Sequence, residues 1–489
     1  MHNHDVNRHA QLSATVLAGL HDAAGGGRVL TDPAELAVYE TDGFTLARAR
    51  PAAVVFPESA DRVASVVRYL NEHDIDVLPR GSGTGLTGGS VAADPHRPGV
   101  VVSTTKLDTI HDIDLTSRIA RCGAGVRNGT LNDTLARTPG GNRYQFAPDP
   151  SSQRASTLGG NVATNAGGIH VLKDFVTSSH IAGVTICTAE GRLVEIDNAG
   201  GFDLAGVVCG SEGTLGLVVE VVAKLTPIRT AFRTIVATFG SQADACDAVG
   251  DIVGAGHLPA AMEMLDGRMV KVVEDIFHLG IDPAAEAMLL IELDDPAPIL
   301  DRACDEVCDL LRGRDALTVE TASDAARKAE LWTARKKAFG AIGRISPSYC
   351  TQDACVPRSK LAEVLAKVDE IGKRRGLSIN NVFHAGDGNV HPIFLYDDRN
   401  QAEIDNVLIA AEEVLQACID AGGTITGEHG VGLEKLTMMP RLFDDATLEA
   451  FRATKRAFDP GGRFNSGKLL PAVGEAMQKP TSPGRKVPQ

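Results

Sequence analysis

The sequence predicts a two-domain protein, an α/β half followed by an α+β half, and three observations carry that reading. A chain of 489 residues is too long for one ordinary core, because domains run to roughly 150 residues apiece. From "AAVVFPES" at 52–59 onward, strands alternate with helices and with loops rich in glycine. At "KLTPIRT", near 226–230, the glycine loops stop and a new strand–helix alternation begins.

Residues 10–48 read as helices with polar connections, which gives the first domain, at 1–227, a helical N-terminus. "DRVASVVRYLNEHD" is an amphipathic helix, with Val63, Val66, Val67 and Leu70 on one stripe and Asp61 in its first turn. "IDVLP" is a short buried strand that runs into a glycine loop. "GVVVSTT", "IARCGAGV", "AGVTICTAEGRLVEI" and "GTLGLVVEVVAKLTP" are further strands. In the second domain, at 228–440, "FRTIVATFG", "AAMEML" and "AMLLIELD" are strands separated by helices, and mostly antiparallel pairing is expected. "KLAEVLAKVDEIGKRRG" is a helix that Gly376 terminates. The Pro-rich, polar stretch 474–489 is expected to be a disordered tail.

Composition narrows the function. The net charge of −15 with no basic stripe argues against a nucleic-acid partner. Anionic small substrates stay open, since a few local cations can dominate a pocket. The nine cysteines, at 122, 187, 209, 246, 304, 308, 350, 355 and 418, form neither a CxxC pair nor an iron–sulfur run. Reduced thiols and a cytoplasmic setting are expected. No signal peptide is expected from the N-terminal stretch, and no apolar run approaches the ~18 residues of a membrane span, so any membrane association is expected to be peripheral or through a partner.

"PRGSGTGLTGGS" (79–90) holds Gly83-x-Gly85-x-x-Gly88. A nicotinamide fingerprint needs a helix starting inside it and an acidic residue ending the next strand. "SVAADPHRPGVVV" follows instead, so that reading fails on context. A glycine loop without a helix can still cradle phosphate through successive backbone N–H groups. Two more clusters follow, "STLGGNVATNAGG" (156–168) and "GSEGTLG" (210–216). Three such loops in one domain suit a long dinucleotide, and Asn161, Thr164 and Asn165 offer hydrogen bonds to a large ring system. Near the C-terminus, Gly462 to Gly467-Lys468 misses a phosphate P-loop, because Leu469 stands where a hydroxyl is needed.

"NNVFHAG" and "NVHPIFLYD" are strand-like runs around an Asp-Gly turn. With Asp387-Gly388 as the central pair, His384 falls opposite His391 on one face. Two facing imidazoles can hold one ion or simply stack. "GEHG" (427–430) supplies Glu428 as a hard oxygen ligand, and two histidines plus a carboxylate leave positions open for substrate. His429 beside it is the natural general base, since an unperturbed imidazole titrates at about 6.5.

Taken together, "PRGSGTGLTGG", "GGNVATNAGG", "GSEGTLG", "FHAGDGNVHP", "GEHGVGLEK" and "FDPGGRFNSGK" resemble the FAD-linked oxidase family of vanillyl-alcohol-oxidase type, over about residues 50–470. The resemblance implies an FAD-binding domain plus an α+β substrate cap domain, with residues 441–473 returning to the flavin. It implies FAD held by Pro79, Arg80, Gly81, Ser82, Gly83, Thr84, Gly85, Gly89 and Ser90 around the pyrophosphate. Pro148, Thr157, Gly160, Asn161, Thr164, Gly167, Glu212, Gly213 and Asn465 would complete the cradle. Thr84 stands where some members tether flavin through histidine, so the FAD is expected to be non-covalent.

The resemblance also implies that Glu428 meets His384 and His391 around a divalent metal, zinc or manganese, and that Arg335 clamps a substrate carboxylate. Within the family the chain is similar to glycolate, D-lactate and D-2-hydroxyglutarate enzymes. The expected activity is oxidation of a small 2-hydroxy acid to a 2-keto acid. Reduced flavin would pass electrons to a quinone, a cytochrome or an iron–sulfur partner subunit, in a homodimer or a hetero-oligomer. A flavin-binding electron-transfer subunit without catalysis is the alternative.

Overall fold

The computed structural model describes residues 12–472 apart from 93, 95, 96, 198, 199 and 323, so the tail expected at 474–489 lies outside the described residues. The described chain forms two units. The first takes in residues up to 168, 176–228 and from 428 on; the second takes in 169–175 and 229–427. The return to the first unit thus begins at Glu428, ahead of the position expected near 441. After the short excursion at 169–175, the chain passes into the second unit at Ile228/Arg229.

The first unit contains a four-stranded sheet in the order Arg28–Leu30, Ala53–Phe56, Gly99–Ser103, Asp76–Arg80. The last three run parallel, with Val54 and Leu78 both opposite Val101. Strands buried on both faces read as continuous apolar runs, which is why "AAVVF" and "GVVVS" show no alternation. The helix Ala60–Glu72 covers this sheet with Val63, Val66, Val67 and Leu70, all fully buried. Ser59 caps its N-terminus by accepting from Arg62 N.

Helix Ala14–Ala24 is present, but residues 10–48 are not all helix. Arg28–Leu30 is a strand, antiparallel to Ala53–Phe56. Three residues are too few to display a period of two. A second, five-stranded antiparallel sheet runs Ile110–Asp114, Ile119–Gly123, Leu217–Lys224, Ile181–Cys187, Leu193–Asp197.

The second unit is built on an antiparallel sheet whose path runs Ala316–Ala322, Arg233–Phe239, Ala287–Leu293, Ala261–Asp266, Ile379–His384, Asn389–Val390, Ala354–Cys355. Helices Gly267–Phe277 and Ala325–Ile342 contribute Met269, Val270, Val273, Leu331 and Trp332 to its core. Residues 169–175 are held in this unit by charge: Lys173 pairs with Asp294, and Arg229 bridges Asp174 and Asp294. Helix Leu361–Arg375 ends on Gly376 at φ 64°, as its sequence predicts.

Candidate functional site

In the first unit the loop after strand Asp76–Arg80 is the centre of the expected cradle. Among the described residues, the backbone amides of Ser82, Gly83, Thr84 and Gly85 have no hydrogen-bond acceptor. A run of such N–H groups is what a phosphate would take. Gly81 is required by close approach: a Cβ there would lie 2.4 Å from Thr157 Oγ1, so the first and second glycine loops touch. Thr157 caps helix Leu158–Thr164 by accepting from Gly160 N at 3.3 Å, and Thr164 Oγ1 donates back to Gly160 O.

Asn161, 2 % exposed, has a buried Nδ2 with no partner among the described residues. An orphaned buried donor of this kind fits a ligand that brings its own acceptor. Pro148 O accepts from Asn128 Nδ2 at 2.7 Å, and Gly167 is buried. The glycine loops, the open amides and Asn161 fit a dinucleotide.

Several of the expected cradle residues also brace one another and their surroundings. Arg80 donates to Thr41 O (2.9 Å) and Ser90 Oγ (3.2 Å), and its guanidinium lies over the Tyr39 ring. Ser82 Oγ donates to Ala155 O, and Pro79 packs against Gly213. Glu212, in the left-handed region at φ 53°, accepts from Val431 N and Gly432 N, both at 2.7 Å. Asn465 Nδ2 donates to Gly89 O and Glu212 O. Lys468 is buried with its Nζ on Asn465 Oδ1. Burial pushes the Glu212 carboxyl up and the Lys468 amine down to about 7.

These contacts bind the segment carrying His429 to the first glycine loop. Leu433 N donates to Thr87 O, and Thr87 Oγ1 donates to His429 O.

In the second unit the hairpin at 384–391 has a different register from the one its sequence predicts. His384 pairs with Asn389, and Asn381 with Pro392. The turn is a four-residue loop, Ala385 to Gly388, not a two-residue Asp-Gly turn. The cause lies in the loop's other partners. Gly386 N donates to Met262 O, Arg358 Nη1 donates to Gly386 O, and Val356 N donates to Gly388 O. Gly388 sits at φ 81°, where a Cβ would lie 2.2 Å from Val356 O.

The pairing has moved by two positions, so the side-chain faces are preserved. His391 becomes the diagonal neighbour of His384, and the two rings meet edge-on with centroids 5.1 Å apart.

His384 is held from behind. Its Nδ1 lies 2.7 Å from Glu263 Oε1, and the other carboxylate oxygen is engaged by Arg335 Nη2. Burial alone would raise the Glu263 carboxyl, but Arg335 and His384 outweigh it and hold it below the ordinary range. Arg335 is therefore 3 % exposed and paired, while its neighbours Lys336 and Lys337 are exposed. Its Nε has no partner among the described residues.

Neither Glu263 nor Asp353 stood out in the sequence, though the lone acid in "AAMEML" was a readable signal. Asp353, fully buried, accepts from Thr426 Oγ1 (2.7 Å) and Gly427 N (2.9 Å). This fixes the backbone one bond before Glu428. Two adjacent imidazoles, one with Nδ1 occupied by a carboxylate so that only Nε2 could bind a metal, are a donor set that fits a divalent ion.

A sheet domain with a phosphate-type glycine cradle, joined in one chain to an antiparallel domain bearing paired histidines, defines a flavin-dependent oxidoreductase. The chain belongs to the FAD-linked oxidases: residues 51–197 match the FAD binding domain, and residues 228–469 match the C-terminal domain of FAD linked oxidases. It is 37 % identical to glycolate oxidase subunit GlcD of Escherichia coli, over 96 % of this chain and 92 % of that one. It is 31 % identical to D-lactate dehydrogenase of Archaeoglobus fulgidus, over 85 % and 91 %. Among solved structures, 4-ethylphenol oxidase from Gulosibacter chungangensis aligns with a TM-score of 0.78 at 17 % identity, over 94 % of this chain and 99 % of that one. p-Cresol methylhydroxylase aligns with a TM-score of 0.78 at 15 % identity, over 95 % and 98 %. These two share the fold. Among the described residues no helix is long and apolar enough to cross a membrane.

Proposed function

We propose that this chain oxidises a small D-2-hydroxy acid, glycolate or D-lactate, to the 2-keto acid, with non-covalent FAD and a zinc or manganese ion on His384, His391 and Glu428. The observation that carries the reading is the His384–His391 pair, braced by buried Glu263, in a chain whose relatives are named for glycolate and D-lactate. When bound, the flavin supplies a hydride acceptor and the metal a Lewis acid that acidifies the substrate hydroxyl.

Arg335 binds the substrate carboxylate through the donors that Glu263 does not take. His429 removes the hydroxyl proton. Its backbone is held through Thr87 and through the Glu212 contacts at Val431 and Gly432, which limits its movement during proton transfer. With FAD bound, the α-hydrogen would pass as hydride to the flavin, leaving the 2-keto acid.

Relatives named as oxidase subunits favour work within an assembly, with a quinone, a cytochrome or an iron–sulfur partner as acceptor. The test is anaerobic bleaching of the flavin absorbance near ~450 nm by a panel of D- and L-2-hydroxy acids, with and without added zinc or manganese. D-lactate and glycolate should bleach it and L-lactate should not. No bleaching by any 2-hydroxy acid would end the proposal.

A further inference from the structure

The strand Ala261–Asp266 is buried along its whole length; Asp266 at its end caps the following helix, and Glu263 is the acid inside its apolar stretch. Glu263 lies directly opposite His384 in the antiparallel ladder, so the two side chains share a face. Its two oxygens have separate partners: Oε1 faces His384 Nδ1, and Oε2 holds Arg335 Nη2.

Such an arrangement is costly. A buried ion pair does little better than break even against an apolar pair of similar shape, so stability alone does not explain why this strand carries a charge. Geometry supplies a reason. A carboxylate anchored on Nδ1–H fixes both the ring orientation and the tautomer of a histidine, leaving the lone pair on Nε2. Arg335 holds the other carboxylate oxygen and stops the group rotating away from the imidazole.

We propose that Glu263 is the positioning residue of the two-histidine centre, holding His384 as its Nδ1–H tautomer with Nε2 available to a divalent metal. The inference rests on the metal reading given above, and it adds a residue that does not itself touch the ion. Arg335 then has a second task beside substrate binding, because it is the counter-ion that keeps Glu263 in place.

Two measurements on the FAD-loaded full chain test this. The first needs no substitution at Glu263. Long-range proton–nitrogen NMR of chelator-treated protein carrying 15N-histidine, with His384→Gln to identify the signal, should find His384 protonated on Nδ1. Protonation on Nε2 would overturn the proposal.

The second is competition for zinc and for manganese against a chromophoric chelator. Glu263→Gln should weaken both by about 10–100-fold, with the flavin content unchanged. If Glu263→Gln does not fold, Glu263→Leu combined with Arg335→Met removes the pair without stranding a buried charge, and the same loss is expected. Wild-type affinity in either variant refutes the positioning role and leaves the metal reading intact. If the wild-type protein binds neither metal, the metal reading fails and takes this inference with it.

Discussion

Glu212→Gln tests whether the C-terminal segment is held in the flavin unit by one carboxylate. In the wild type both oxygens of Glu212 accept buried backbone amides, Val431 N and Gly432 N, at 2.7 Å. Glutamine keeps one acceptor and turns a donor toward the second amide, leaving a buried N–H unmet. Hydrogen bonds to charged groups contribute about 1.5–3 kcal/mol each, and an unsatisfied buried donor costs a similar amount. A loss of roughly 2–4 kcal/mol is expected. Melting shifts by roughly 2–4 °C per kcal/mol for units of this size, so the midpoint should fall by about 5–15 °C. Flavin fluorescence during a thermal ramp reads it directly, since release of FAD marks opening of this unit. A midpoint within about 2 °C of wild type would refute the reasoning, and the contacts at Val431 and Gly432 would then be incidental.

Three other outcomes follow from the structure. His429→Ala should abolish turnover, by about 10²–10⁴-fold for a lost general base, while the purified protein keeps its FAD; unchanged turnover sinks the base assignment. His391→Ala should reduce bound zinc or manganese to background by elemental analysis, with FAD retained, and a wild-type metal content would count against the ligand set. Asp76 is 1 % exposed, lies 3.3 Å from Arg97, and burial raises its carboxyl to about 6. A raised acid adds stability below its unfolded pKa, near 3.8, and loses it as pH rises through about 6, a change of about 3 kcal/mol. Asp76→Asn should therefore gain on wild type by up to that amount between pH 4 and 7.5 in urea titrations, whereas a pH-independent difference would refute the assignment.

The glycine loops were legible because a close approach writes a glycine into the sequence. Gly81 and Gly388 are dictated by what a Cβ would strike, Thr157 and Val356, and the glycine marks the position even where that partner is distant in the chain. The hairpin was legible only in part. Its Asp-Gly signal suggested a two-residue turn, but Met262, Val356 and Arg358 draw the loop backbone to themselves. Those partners lie far away in sequence, and no local pattern announces them. The face of His391 was still correct, because a slip of two positions leaves parity unchanged where a slip of one would have reversed it. Arg335 and Arg80 were singled out from the resemblance as ligand-binding residues, and the structure adds partners that the sequence did not announce, Glu263 on one Arg335 nitrogen and Thr41 and Ser90 on Arg80. The partner of a buried charge is a tertiary fact.

The Asn465 side chain closes the flavin loop at Gly89 across 376 residues of intervening sequence. At synthesis rates of about 5–20 residues per second, the ribosome needs roughly 20–75 s to cover that distance. Throughout that interval the glycine loop exists without its brace, while the whole of the second unit is being made. The nascent first unit is thus an open half-product for much of its own translation.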